Sequence, residues 1–139
     1  MKALVVEDEF VSRMALQEML LPYGTVHAAV NGAEAVTAVR HAIETGAPYD
    51  FISLDALMPV MSGGQALTAI REFEQARGLS GTAAAKVVVT TAIDAADGDI
   101  GPVARHLLQD MKTRCDGHLA KPVKKSLLIR LLRSLDLIS

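Results

Sequence analysis

The sequence predicts an α/β fold, a doubly wound five-stranded parallel sheet flanked by five helices. Three observations predict it. Short apolar runs alternate with longer segments whose apolar residues recur every three or four positions, and the alternation repeats five times with nothing left over. The runs Leu4-Val5-Val6, Phe51-Ile52-Ser53-Leu54 and Val87-Val88-Val89-Thr90-Thr91 are near-continuous rather than alternating, as in strands covered on both faces. Turn and breaker residues punctuate the joins: Pro22 and Gly24, Asn31-Gly32, Gly46 and Pro48, and Pro122.

The elements follow in order. The first strand is Leu4–Val6. A helix from about Val11 to Leu21 places Val11, Ala15, Leu16, Met19 and Leu20 on one face. A weaker strand, Val26–Val30, leads into a helix with Val36, Val39 and Ile43 inward. The third strand ends at Asp55, and the loop Ala56–Gly63 feeds a helix carrying Ala66, Leu67 and Ile70. Arg77–Ala85 reads as a loose connection. The fourth strand, Val87–Thr91, is the clearest β-branched run in the chain. Pro102 suits the first position of a helix whose inner face is Val103, Leu107, Leu108 and Met111. Gly117–Ala120 is a short fifth strand. The last helix runs to the chain end with Leu127, Leu128, Leu131, Leu132 and Leu135 inward.

Totals bound the function. A length of 139 residues, half of them apolar, suits one domain with one full-sized core, so residues 1–139 are expected to form a single domain with no output domain after it. A net charge of -2 argues against nucleic-acid binding. The single cysteine, Cys115, allows no internal disulfide and no zinc site, and reads as a small residue near a strand start. No signal peptide and no apolar run of the roughly 20 residues a membrane span needs are present, so a cytoplasmic protein with no membrane insertion is expected.

In such a sheet ligands bind at the carboxyl ends of the strands. Strand one is followed by Glu7-Asp8, strand three ends in Asp55, strand four in Thr91, and strand five is followed by Lys121-Pro122. Three carboxylates, a hydroxyl and an ammonium thus converge on one rim. Crowded carboxylates repel and raise one another's pKa, which a hard divalent cation relieves. Mg²⁺ is the expected ion, with Asp8 and Asp55 as direct ligands and Glu7 acting through water or directly by its extra methylene. Mn²⁺ is expected to substitute. A carboxylate is also a nucleophile able to form an aspartyl phosphate, and phosphoryl transfer then needs in-line positioning and charge neutralisation, which Lys121 and Thr91 help supply. Singly, each residue has a plainer reading: a solvated helix start for Glu7-Asp8-Glu9, a turn at Asp55, a strand residue at Thr91, a surface charge at Lys121. Their joint placement on one rim favours the site.

Val5-Val6-Glu7-Asp8, Asp55-Ala56-Leu57-Met58-Pro59-Val60-Met61-Ser62-Gly63, Thr91-Ala92 and Lys121-Pro122 closely resemble, in order and over essentially the whole chain, the receiver domains of two-component signalling, which share the flavodoxin-like topology. The resemblance implies that Asp55 is the phosphoacceptor, that Glu7 and Asp8 form the acidic metal pair, and that the backbone carbonyl of Leu57 also binds the metal. It makes Thr91 the switch hydroxyl and Lys121 the phosphate-contacting lysine, joined to Pro122 by a cis bond. A sensor histidine kinase or histidine phosphotransfer protein becomes the expected donor. The response is a change in the surface of the fourth strand, fourth helix, fifth strand and fifth helix, read by an unidentified downstream protein or used as a phosphorelay.

Three departures from the family pattern stand out. His118 occupies the position where the family often has Tyr or Phe and is either a switching ring or a plain strand residue. Leu57 and Ile93, at positions that tune phosphate lifetime in the family, are apolar and cannot orient an attacking water, so a long-lived phosphoryl group is expected. The segments 77–85 and 92–116 are long, and the second carries Asp94, Asp97 and Asp99, a partner-specific feature or a solvated loop. Competing functions are disfavoured by particular residues. An aspartyl phosphohydrolase needs an acid where Leu57 stands, a flavodoxin-type binding module needs a Ser-, Thr- or Gly-rich loop where Glu7-Asp8-Glu9 stands, and a degenerate receiver would not keep Thr91 and Lys121. No enzymatic activity beyond the chain's own phosphorylation and slow dephosphorylation is expected.

Overall fold

The computed structural model describes residues 1–58, 61–91 and 102–139. Pro59, Val60, Ile93, Asp94, Asp97 and Asp99 lie outside the described residues. Five strands, β1 (Lys2–Val6), β2 (Thr25–Ala29), β3 (Phe51–Asp55), β4 (Lys86–Thr91) and β5 (Gly117–Ala120), alternate with five helices, α1 (Phe10–Leu20), α2 (Gly32–Glu44), α3 (Gly63–Ala76), α4 (Pro102–Arg114) and α5 (Lys125–Ser134), among the described residues. The strands form one parallel sheet in the order β2-β1-β3-β4-β5. The chain leaves β1 for the edge at β2 and returns to β3 on the other side, so the direction of winding reverses between β1 and β3. That reversal opens a crevice at their carboxyl ends.

Side chains of successive strand residues point to opposite faces, and the core divides accordingly. Leu4, Val6, Ile52, Leu54, Val87 and Val89 pack with Ala35 and Val39 of α2, Ala66, Leu67 and Ile70 of α3, and Leu108 and Met111 of α4. Ala3, Val5, Phe51 and Val88 pack with Leu16 and Leu20 of α1 and Leu128 and Leu132 of α5. Each fully buried leucine or isoleucine contributes on the order of 1.5–3 kcal/mol of transfer free energy, which explains why β1, β3 and β4 tolerate so few polar residues.

Four inward assignments change. Val11 is 69% exposed, because α1 starts at the carboxyl edge of the sheet and its first turn has no strand beneath it. Val103 and Leu107 are exposed for a related reason: the buried stripe of α4 is Leu108 and Met111, with Cys115 packed beside it. Leu127 is exposed too, and Leu128 and Leu132 carry the contact of α5 with the sheet. The last helix stops at Ser134 rather than running to the end. Asp136 takes a left-handed φ of 60°, Asp136 N–H donates to Arg133 and Leu137 N–H to Leu132, and Leu137 folds back onto the core. This is the closure that glycine usually provides. The helix α2 shows the usual form, with Gly46 at φ 80° and Ala47 N–H donating to the Ala42 carbonyl. None of the described helices is long and apolar enough to cross a membrane.

The connection after α3 is less loose than its composition predicts. Buried Glu74 accepts hydrogen bonds from Ala85 N (2.8 Å) and Arg71 (2.8 Å), and Arg71 also reaches the Ala85 carbonyl and Asp116. These bonds pin the entry to β4 against the turn before β5. A cleft of about 280 Å³ beside them is lined by the same charges, already paired with one another.

Candidate functional site

Register fixes the geometry of the rim. Val6 pairs with Leu54 and Asp55 with Thr90, so Glu7, one step past β1, lies level with Asp55 on the neighbouring strand. Glu7 N–H donates to Ala29 at 3.0 Å, which carries the sheet ladder one residue further and holds Glu7 in strand orientation. The chain then turns. Glu9 caps α1 by accepting from Val11 N (3.1 Å) and Ser12 N (2.7 Å), and the Ser12 hydrogen bonds lower its pKa. The acidic triplet thus divides its work: Glu9 serves the helix start, while Glu7 and Asp8 serve the rim.

Glu7, Asp8 and Asp55 each place a carboxylate oxygen within 4.8 Å of the others. Glu7 is fully buried, Asp55 is 4% exposed, and Asp8 is open to solvent. Lys121 reaches in from the end of β5. Its ammonium pairs with Glu7 Oε1 and lies 3.2 Å from Asp55 Oδ2. No other partner among the described residues reaches Glu7 Oε1, and Oε2 accepts from Glu9 N at 3.2 Å. Leu57 N–H faces Asp55 Oδ1 at 3.3 Å. Thr91 is buried at the end of β4, and the bond between Lys121 and Pro122 is cis. A cleft of about 560 Å³ opens above, lined by Asp8, Glu9, Ser12, Asp55, Leu57, Thr91, Lys121 and Pro122.

The electrostatics follow from this crowding. Burial, then the neighbouring Glu7, pushes the Asp55 carboxyl up to about 7, and Lys121 only partly opposes the rise. Burial alone would lower the Lys121 ammonium, but Glu7 and Asp55 outweigh it and its pKa rises. One cation therefore serves two buried carboxylates while a third acid stands at the mouth. The donors are all oxygens, those of Asp8 exposed to solvent, and three acids outnumber the one lysine among them. That set fits a hard divalent ion that keeps some of its waters, such as Mg²⁺.

Every expected site residue among the described ones lies on this rim or beside it. Glu7, Asp8, Asp55, Leu57, Thr91 and Lys121 surround the cleft, and His118 stands exposed on β5. His27 pairs with Tyr49 (2.7 Å), and His41 and His106 are exposed. One contributor, Ser12, was not singled out by pattern, and one residue of the motif, Gly63, makes a contact that pattern did not show. Ser12 lines the cleft from the first turn of α1, four residues past Asp8. Gly63 packs so closely that an added Cβ would lie 2.4 Å from the Asp55 carbonyl and 2.8 Å from Met111 Cε. Its place in the loop after Asp55 was visible, but the approach of α4 was not.

Known proteins resemble this chain along its length. The family described as "Response regulator receiver domain" matches residues 3–133. The receiver domain of the sensor histidine kinase PA1611 from Pseudomonas aeruginosa, solved with a magnesium ion coordinated in its active site cleft, is 30% identical with a TM-score of 0.72, and 97% of each chain is covered. The receiver domain of the histidine kinase CKI1 from Arabidopsis thaliana, complexed with Mg²⁺ and BeF3-, shares the fold at 24% identity and a TM-score of 0.72, over 97% of this chain and 89% of that one. The two-component response regulator ORR41 of Oryza sativa subsp. japonica is 41% identical over 73 residues, 50% of this chain and 55% of that protein. The chain spans only 9% of Histidine kinase 5 of Arabidopsis thaliana, to which it is 33% identical over 91 residues. Fold, rim and relatives agree, and the chain belongs to the response regulator receiver domain family of two-component signalling.

Proposed function

We propose that the chain is a phosphorylatable switch that accepts a phosphoryl group on Asp55 in a Mg²⁺-dependent reaction. The observation that carries this reading is the convergence of Glu7, Asp8 and Asp55 within 4.8 Å, facing Lys121 across one cleft. Asp8, Asp55, the Leu57 carbonyl and Glu7, directly or through water, would hold the ion, and Mn²⁺ would replace it. When bound, the cation neutralises charge on the transferring phosphoryl oxygens.

The residues of the chain do the rest. An Asp55 carboxylate oxygen attacks phosphorus in line. The O–P bond forms as the P–N bond to a donor imidazole breaks, and the leaving nitrogen keeps the electron pair. Lys121 then pairs with a phosphoryl oxygen, and the Thr91 hydroxyl donates to another. The added charge, about -1.5 to -2, biases two arrangements of the β4-α4-β5-α5 surface, with His118 moving with Thr91. The output is protein-protein contact or onward relay, in the cytoplasm.

The donor is a sensor histidine kinase or a histidine phosphotransfer protein. Its imidazole must enter the cleft mouth, so its surface covers the first turns of α1. Phe10, Val11 and Met14 are exposed there, and Leu57 is exposed on the opposite lip. An apolar collar around a charged pocket suits a helical partner that buries it.

Intact mass after incubation with Mg²⁺ and acetyl phosphate tests the reading. A single phosphoryl adduct is expected on the wild type and none on Asp55→Asn. An adduct that persists in the variant, or no adduct on the wild type, would overturn it.

A further inference from the structure

One row of side chains crosses the sheet directly under the cleft. Val5, Phe51 and Val88 face the α1–α5 core, so the residues an even number of steps along each strand, Glu7, Asp55 and Thr90, face the same way. Register places the three on one level, with Val6 opposite Leu54 and Asp55 opposite Thr90. Adjacent strands lie about 4.8 Å apart. Thr90 is therefore the immediate cross-strand neighbour of Asp55, on the side away from Glu7.

Its hydroxyl is out of place by the logic of the core. Thr90 is 1% exposed, and its Oγ1 meets no hydrogen-bond partner among the described residues. A buried hydroxyl without a partner destabilises a fold. Valine, already used at 87, 88 and 89, would fill nearly the same volume without that cost. A polar group kept in such a position calls for a reason other than packing.

We propose that Thr90 is a positioning residue for Asp55, a claim that rests on Asp55 being the phosphoacceptor. The two carboxylate oxygens now have separate partners, Leu57 N–H on Oδ1 and the Lys121 ammonium beside Oδ2. Lys121 cannot hold Asp55 and pair with an incoming phosphoryl group equally well. As it turns toward the phosphoryl oxygens, Oδ2 loses that partner, while Leu57 N–H stays on Oδ1. The Thr90 hydroxyl lies on the same level with no partner among the described residues, and rotation about its side chain lets it donate to the released Asp55 Oδ2. The attacking oxygen then stays aimed out of the cleft, and after transfer the same hydroxyl holds the acyl oxygen of the aspartyl phosphate.

The test compares Thr90→Val, which removes the hydroxyl, with Thr90→Ser, which keeps it. Urea unfolding and the dependence of Asp55 phosphorylation on acetyl phosphate concentration, with Mg²⁺, are measured for both and for the wild type. Thr90→Val is expected to unfold at higher urea than the wild type. Its maximal phosphorylation rate is expected to fall about tenfold, the effect of one hydrogen bond to a charged group, while half-saturation by acetyl phosphate stays unchanged. Thr90→Ser is expected to keep the wild-type rate. A wild-type maximal rate in Thr90→Val overturns the proposal, and so does equal slowing in both variants accompanied by weaker folding. An unphosphorylated wild type would instead remove the reading of Asp55 on which the proposal stands, so the two failures are told apart by the wild-type arm.

Discussion

Replacing Asp55 by asparagine should stabilise the metal-free protein, and the gain should grow with pH. The folded carboxyl is pushed from 3.8 up to about 7 by burial and by Glu7. Its folded state therefore binds the proton more tightly than the unfolded chain does. As pH rises from about 4 toward 7 the unfolded chain ionises first, and the wild type loses stability across that window. Asparagine has no such loss. A shift of about three pKa units corresponds to a ceiling of about 4 kcal/mol. The carboxyl is reached by solvent through the cleft, which screens the interaction, so about 1–2 kcal/mol is the realistic difference at about pH 8. The substitution leaves no stranded charge, since Lys121 keeps Glu7 as a partner. Urea unfolding of both proteins with a chelator present, at about pH 5 and about pH 8, measures the effect through the midpoint. A stability difference that stays flat between the two pH values, or that favours the wild type at the higher one, would refute the argument. It would mean that Lys121 already neutralises the Glu7–Asp55 pair in full.

Other perturbations have equally definite outcomes. Asp8→Asn should weaken Mg²⁺ binding by about tenfold or more by calorimetry, because it removes the exposed member of the acid cluster and leaves the buried pair tied to Lys121. The phosphoryl group on Asp55 should persist for minutes, since Leu57 at the cleft mouth cannot hold a water by hydrogen bond; Leu57→Asn should shorten its half-life in a direct decay assay. Gly63→Ala should cost about 1–3 kcal/mol in urea unfolding, because its Cβ would meet the Asp55 carbonyl and Met111.

Much of the fold was legible because it depends on short-range pattern. The continuous apolar run of β4 can be covered only on both faces, and the Asn31-Gly32 turn supplies a cap whose side chain accepts from Glu34 N at 2.8 Å. The end of α5 was not legible, because an aspartate rather than a glycine takes the left-handed position at 136. The inward face of α4 was not legible for a different reason. Val103, Leu107, Leu108 and Met111 offer two overlapping apolar stripes, and periodicity alone cannot choose between them. The α3 surface chooses, since Gly63 and Gly64 leave room for Met111 to descend.

The sequence by itself determined the order of elements and the candidate residues Glu7, Asp8, Asp55, Thr91 and Lys121, because strand ends and motif spacing are local properties of the chain. Only the tertiary structure decided how those residues divide the labour. Lys121 bridges Glu7 and Asp55, Glu9 is drawn off to cap α1, and Thr90 stands level with Asp55 with its hydroxyl unpartnered among the described residues. The physical reason is that these relations are set by register between strands distant in sequence and by how deeply each side chain is buried where those strands end. Neither is written in any one segment of the chain.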